Sequence, residues 1–212
     1  MAVPGWLDDT RISYDTVAVS YADMLRDALA DEPFQRGILA LFGELVRAQG
    51  NGTVADVGCG PGRITAYLHG LGLKAFGVDL SPAMIEVARR DHPGLRFEVG
   101  SMTRLDLPDD CLTGLLAWFS LIHVPDGEVP AVLAEFRRVL RPGGVVLLGF
   151  HAGDSSRLKT EGYGGHPMHV YVHRRPTDRV AAWLDAAGFT VEAEMTHRPA
   201  PNVEGGFVFA HR

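Results

Sequence analysis

Val54-Ala-Asp-Val-Gly-Cys-Gly-Pro-Gly-Arg63 is the stretch that decides the fold. A short apolar strand runs into glycines at 58, 60 and 62, and the segment from Arg63 to Leu71 then takes up helical, amphipathic spacing. Without a Cβ, Gly58, Gly60 and Gly62 let the chain turn sharply and let a ligand lie against its amides, while the helix start beyond them favours negative charge. The pattern predicts a nucleotide-like cofactor at the end of this strand.

Gly77-Val-Asp-Leu-Ser-Pro82 carries the second half of the signal. An apolar strand ends in a carboxylate, and a new helix opens with Ser81 as N-cap and Pro82 at its first position. Asp79 follows the glycine turn by roughly 20 residues, where Rossmann-like folds hold an acid against the two ribose hydroxyls. The plainer alternative is an acid that merely favours the following helix dipole. With the glycine turn before it, Asp79 reads as the ribose acid and the ligand as an adenosine derivative.

Glycine spacing narrows the ligand. Dinucleotide sites use Gly-x-Gly-x-x-Gly, with the pyrophosphate on the helix N-terminus. Here the pattern is Gly-x-Gly-x-Gly, preceded by Asp56. A buried acid at that point repels a pyrophosphate and suits a ligand that carries an ammonium group beside a carboxylate. DVGCGPG followed by GVDLS resembles the first two motifs of the class I S-adenosylmethionine-dependent methyltransferases.

Three further blocks extend the resemblance in family order. Phe97-Glu-Val-Gly-Ser-Met102 is similar to the third strand and the loop that brackets adenine, which implies Ser101 and Met102 as cofactor neighbours. Leu115 to Val124 is similar to the fourth strand beneath the methyl donor, and Arg138 to Gly144 to the turn before strand five. The match runs from about Val54 to Phe150 and is closest to the small-molecule branch that includes the ubiquinone and menaquinone biosynthesis enzymes. The fourth strand lacks the Asn/Asp-Pro-Pro-Tyr element of enzymes that methylate adenine or glutamine amides. The resemblance implies S-adenosyl-L-methionine as cofactor, S-adenosyl-L-homocysteine as product, and a small-molecule acceptor methylated on O, N or activated C. Its cofactor residues map to Asp56, Gly58, Cys59, Gly60, Gly62, Arg63, Asp79, Leu80 and Met84. Ser101, Met102 and the pair Trp118 and Phe119 complete the set, one of the two aromatics standing beside the adenine or methionine portion.

Composition excludes several rivals. With 212 residues, 46% hydrophobic and 22% charged, the chain can bury one substantial core. The net charge of −6 offers no basic surface for a phosphate backbone, so nucleic acid is not expected as a partner. No stretch of about 18 apolar residues occurs, and MAVPGWLDDT places acids where a secretory leader has bases, so neither a membrane nor export is expected and the location reads as cytoplasmic. Cys59 and Cys111 make no disulfide framework.

Strand and helix alternate as a doubly wound α/β sheet requires. Strands are predicted near 54–57, 75–78, 95–99, 114–119 and 145–150, as short apolar runs covered on both faces. Helices are predicted over 64–71, 83–90, 129–140 and 177–187, the third ended by Gly143-Gly144 and the last by Gly188. Strands near 189–196 and 207–210 close the chain as a hairpin-like pair. The resemblance implies a Rossmann-like, seven-stranded, mostly parallel sheet with one antiparallel C-terminal strand. One methyltransferase domain over 1–212 is expected, with N-terminal lid helices in 1–46, a cofactor core in 47–150, a substrate roof in 151–176 and a C-terminal helix and strand pair in 177–212.

Lid and roof are where the acceptor is chosen. Tyr14-Asp-Thr-Val-Ala18 resembles the helix that lies across the cofactor in related enzymes. The roof is rich in histidine and tyrosine, and His169-Val-Tyr-Val-His173 fits an extended segment with His169, Tyr171 and His173 on one face. His166, His169 and His173 have helical spacing, but Gly162, Gly164, Gly165 and Pro167 disfavour a helix start and no acid or cysteine nearby completes a tetrahedral set, so no metal is expected. His123, at the end of the fourth strand, is the leading general base, with Tyr14 and His166 as alternatives. A histidine that only caps the strand end stays open beside that reading. So do a non-catalytic methyltransferase-like binding module and, on the glycine turn alone, a nicotinamide oxidoreductase. The oligomeric state has no signature in the sequence.

Overall fold

The computed structural model describes residues 5–201 and 203–212, so the first four residues of the expected lid segment lie outside it. Two helices come first, α1 (Gly5–Leu25) and α2 (Pro33–Ala48). The core alternates β1 (Thr53–Val57), α3 (Arg63–Gly70), β2 (Lys74–Asp79), α4 (Pro82–Asp91), β3 (Phe97–Val99) and β4 (Leu112–Trp118). A single 3-10 turn, Leu121–His123, leads to α5 (Val129–Val139) and β5 (Leu140–His151). Then follow β6 (Ser155–Gly162), β7 (His166–Arg174), α6 (Thr177–Ala186), β8 (Thr190–Ala200) and β9 (Val203–His211).

The main sheet has seven strands in the order β3-β2-β1-β4-β5-β9-β8. The pairings from β3 through β5 are all parallel. β9 lies antiparallel to both β5 and β8, so β8 points the same way as the parallel strands and β9 is the one reversed strand. The strand order turns back between β1 and β4, and in open α/β sheets ligands bind at the carboxyl ends of the strands at such a point.

Burial explains why the central strands read as unbroken apolar runs. Every residue of β4 is buried, because α2 and α3 cover one face of the sheet while α5 and α6 cover the other. Phe42, Val46, Leu68, Leu116 and Phe209 fill the first layer. Leu115, Leu133, Phe136, Leu148 and Leu184 fill the second.

The lid segment differs from its expected extent, with α1 beginning at Gly5 and α2 running as a separate amphipathic helix against the sheet. The roof differs more, since β6 and β7 form an antiparallel two-stranded sheet of their own. Met168 and Val170 of β7 are buried against Val17, Ala18 and Ala22 of α1, while His169 and Tyr171 point the other way, exposed. β6 escapes sequence reading because Ser155-Ser-Arg-Leu-Lys-Thr160 is almost wholly exposed and carries no apolar alternation.

Candidate active site

A cavity opens at the carboxyl ends of β1, β2 and β4, roofed by α1. Its floor is the glycine turn. Gly58, Gly60 and Gly62 all have positive φ, at 78°, 54° and 83°. Their duties differ. A Cβ on Gly58 would lie 2.2 Å from the Ser120 side chain, and one on Gly62 would lie 2.6 Å from Phe97. At Gly60 the nearest neighbours stand at 3.9 Å or beyond, Tyr21 and Met84, both part of the cavity wall. Gly62 does not line the cavity; it ends the turn as the left-handed residue before α3 and gives the Phe97 ring room.

Asp56 ends up fully buried beneath the turn because β1 carries it into the sheet. The Thr65 hydroxyl donates to its Oδ2 at 2.7 Å, and its Oδ1 has no partner. Burial pushes its carboxyl up to about 7. Asp79, at the end of β2, accepts from the Gly60 amide at 2.7 Å and from the Ser81 amide at 2.8 Å. Burial pushes it up to about 6 against those hydrogen bonds. Two raised carboxylates in one cleft mark a site that a cationic or hydroxyl-bearing ligand would complete.

Unpartnered buried atoms point the same way. Trp6 Nε1, Asp56 Oδ1 and Trp118 Nε1 are all buried without a hydrogen-bond partner, and all three residues line this cavity. Buried polar groups are almost always satisfied, so three such atoms around one space belong to a binding site. Phe119, the first residue after β4, holds φ at 51°, a strained value for an aromatic residue, and this turns the chain so that Trp118, Phe119 and Ser120 all reach the cavity.

The lid is fastened at several points. Asp15 accepts from the Ser81 hydroxyl at 2.6 Å and from the Ala83 amide at 3.2 Å, which ties α1 to the start of α4. Ser13 Oγ accepts from the His169 amide at 2.8 Å. Ser20, two turns along the same face, pairs with His166 Nε2 at 2.9 Å.

Tyr14 and His123 meet at the edge of the cavity. His123 Nδ1 lies 2.8 Å from the carbonyl oxygen of Tyr171, which can only accept, so Nδ1 carries the proton. The bare Nε2 therefore accepts from the Tyr14 hydroxyl, 2.8 Å away. Burial pushes His123 down to about 4 and holds Tyr14 well above the usual phenol range, so both are neutral near pH 7. The turn that carries His123 is anchored by Arg175, which is 1% exposed. Its guanidinium donates to the carbonyls of Leu121 and Val124 and to Asp126.

Of the residues expected from sequence, Asp56, Gly58, Cys59, Gly60, Arg63, Asp79, Leu80, Met84, Ser101, Met102, Trp118 and Phe119 surround the cavity, together with Tyr14 and His123. Gly62 and His166 do not; His166 belongs to the lid fastening rather than to the site, because β7 carries it out to the Ser20 end of α1. Trp6, Thr10, Tyr21, Ser120 and Val124 also line the cavity and carry no sequence signal beyond their helix or strand-end positions. Asp15 was within reach of the sequence, as the second residue of the Tyr14-Asp-Thr-Val-Ala18 block. Among the described residues no group of His, Cys, Asp and Glu is arranged to hold a metal ion.

The parallel sheet with its reversed β9, the glycine turn and the acid at the end of β2 make a fold similar to that of S-adenosylmethionine-dependent methyltransferases of known structure. Residues 54–144 match the family described as a methyltransferase domain. Malonyl-[acyl-carrier protein] O-methyltransferase from Serratia marcescens is 34% identical over 100 residues, 47% of this chain and 38% of that protein. Demethylmenaquinone methyltransferase from Chlorobaculum parvum is 33% identical over 92 residues, 43% of this chain and 37% of that protein. The alignments thus span less than two-fifths of the length of these two curated relatives. The solved structure of 1,6-didemethyltoxoflavin-N1-methyltransferase from Burkholderia thailandensis, with 1,6-didemethyltoxoflavin and S-adenosylhomocysteine bound, superposes with a TM-score of 0.74 at 25% identity. That match covers 100% of this chain and 91% of the other.

The cavity fits S-adenosylmethionine. Asp56 Oδ1 awaits a donor such as the ammonium of the methionine portion, Asp79 keeps lone pairs for the ribose hydroxyls, and the open side of Gly60 leaves the backbone free for close approach.

Proposed function

We propose that this protein transfers the methyl group of S-adenosylmethionine to an oxygen, nitrogen or activated carbon atom of a small-molecule acceptor. The observation that carries the reading is one cavity holding both the unsatisfied Asp56 carboxylate and, at its edge, the hydrogen-bonded Tyr14–His123 pair. When bound, S-adenosylmethionine supplies a methyl group activated on a sulfonium. The chain's own part is to orient and to exclude water: α1 closes over the cavity, and Tyr14, His123 and Phe119 form the wall toward the roof. Orientation is worth roughly 7–11 kcal/mol and a positioned base roughly 3–5 kcal/mol, so positioning is the larger contribution. His123 Nε2 is the proton acceptor in this reading, once an acceptor hydroxyl or ammonium displaces the Tyr14 hydroxyl from it.

The assignment of Asp56, Gly58, Gly60, Asp79, Leu80, Met84, Ser101, Met102, Trp118 and Phe119 to the cofactor, and of Tyr14 and His123 to the acceptor, belongs to the same proposal. So does reading the chain as one methyltransferase domain acting in the cytoplasm. The net charge of −6 supports a small molecule over nucleic acid as acceptor, and no described helix is long and apolar enough to cross a membrane. Incubation with methyl-labelled S-adenosylmethionine and a panel of phenols, amines and carboxylic acids tests the proposal. Label transferred to any of them supports it; cofactor binding without transfer to any acceptor points to a binding module instead.

A further inference from the structure

Helix α1 crosses the whole cavity. Trp6, Thr10, Tyr14 and Tyr21 follow one another at intervals of four, four and seven residues, which puts them on one helix face, and all four line the cavity. Two contacts fix the direction in which that face runs. Toward the C-terminal end, Tyr21 stands over the glycine turn, 3.9 Å from where a Cβ on Gly60 would lie. Midway, Asp15 accepts from the Ser81 hydroxyl and the Ala83 amide, just beyond Asp79. Trp6 precedes Asp15 by nine residues, about 13 Å of helix, and so lies on the side of Asp79 away from the glycine turn. That is the side of the loop after β3, whose Ser101 and Met102 line the same cavity. Packing agrees with this placement, since Trp6 and Met102 both rest on the cluster that holds Leu105, Leu121, Ile122 and Val124.

Trp6 Nε1 is buried and has no hydrogen-bond partner among the described residues. An indole N–H can only donate, and a buried donor left unmade is unfavourable, so this group calls for an acceptor that arrives with a ligand. We propose that the Trp6 indole N–H donates to a ring nitrogen of the cofactor's adenine, so that the first turn of α1 reads the base. This rests on the methyltransferase reading above and adds a base contact made by the lid. The methionine, ribose and adenine portions then lie under Tyr21, Asp15 and Trp6 in turn. Adenine presents its ring nitrogens as acceptors and its exocyclic amine as a donor, which leaves the ring nitrogens as the partners of an indole N–H. The bond exists only while α1 lies over the cavity, so a bound adenine favours the closed lid and with it the position of Tyr14 against His123.

A thermodynamic cycle tests the contact. S-adenosylhomocysteine and its 1-deaza, 3-deaza and 7-deaza analogues, each with one ring nitrogen replaced by C–H, are titrated calorimetrically into the parent and into Trp6→Phe, which keeps a ring in the packing and removes the N–H. The parent is expected to bind at least one analogue about three- to tenfold more weakly than S-adenosylhomocysteine. Trp6→Phe is expected to lower the S-adenosylhomocysteine affinity by a similar factor and to erase the penalty for that analogue, the coupling that a direct contact produces. Where the phenylalanine variant does not fold, benzothienylalanine at position 6, the same bicycle with sulfur in place of N–H, serves in its stead. A Trp6 that only packs the lid would weaken all four ligands by one common factor, and that result overturns the contact. So does equal affinity of the parent for all four ligands, or a variant that binds S-adenosylhomocysteine as tightly as the parent. The underlying reading fails separately: no binding of S-adenosylhomocysteine to the parent condemns the cofactor assignment, whereas binding without coupling condemns the Trp6 contact alone.

Discussion

Replacing Asp56 with Asn is expected to stabilise the ligand-free protein and to weaken cofactor binding together. Unfolded, the Asp56 carboxyl ionises near 3.8; in the fold burial raises it to about 7, so the native state holds the proton more tightly. The stability this group contributes is therefore full below about pH 4 and is lost as pH rises through about 7. At about 1.4 kcal/mol per unit, the roughly three-unit rise from 3.8 to about 7 is a penalty on the order of 4 kcal/mol once ionisation is complete. Asn removes the charge but leaves a buried amide donor where Oδ1 now lacks a partner, at a cost of about 1–3 kcal/mol. The net gain near neutral pH is about 1–3 kcal/mol, or a rise of several degrees in Tm for a chain of this length. Cofactor affinity should move the other way, because an ammonium facing a carboxylate is worth about 1.5–3 kcal/mol more than one facing an amide, some 10- to 150-fold in Kd. Thermal unfolding without ligand and calorimetry with S-adenosylhomocysteine read the two halves. An Asp56→Asn protein that melts no higher than the parent near pH 7, or that binds the cofactor as tightly, refutes the reasoning.

Other changes separate structural from chemical roles. Asp79→Ala should weaken S-adenosylhomocysteine by well over tenfold and also lower Tm, because the Gly60 and Ser81 amides lose their acceptor; Asp79→Asn should recover part of the Tm and little of the affinity. His123→Ala should leave S-adenosylhomocysteine affinity within a few fold and slow turnover by about 10² to 10⁴, and since burial holds His123 near 4 the parental kcat/KM profile should show no break close to pH 6.5. A break at that pH, abolished in His123→Ala, would show that the histidine titrates freely. Arg175→Ala strands the carbonyls of Leu121 and Val124, and should cost about 1–3 kcal/mol for each in chemical denaturation while raising KM for the acceptor more than for the cofactor.

Legibility from the sequence followed the physics of each segment. β1, β2, β4 and β5 were readable because helices bury both of their faces, which forces continuous apolar runs. The glycine turn and Asp79 were readable because backbone geometry and hydrogen bonding restrict those positions to few residue types. β6 was not, since it is exposed and held by β7 rather than by a core. His166 was misplaced for a related reason: its strand, once formed, carries it to Ser20, and nothing local signals a partner 146 residues away. The Tyr14–His123 hydrogen bond joins residues 109 apart, so both were candidates by position while their pairing waited for the fold. Burial also changed their chemistry, turning the histidine expected to titrate near neutrality into one that stays uncharged.

Calorimetric titration of S-adenosylhomocysteine into the ligand-free protein tests the central claim most directly. The account predicts saturable one-to-one binding in the low-micromolar range or tighter, weakening as pH falls below about 7 because Asp56 must give up its proton to meet the ammonium. Absence of saturable heat with either S-adenosylhomocysteine or S-adenosylmethionine would contradict it.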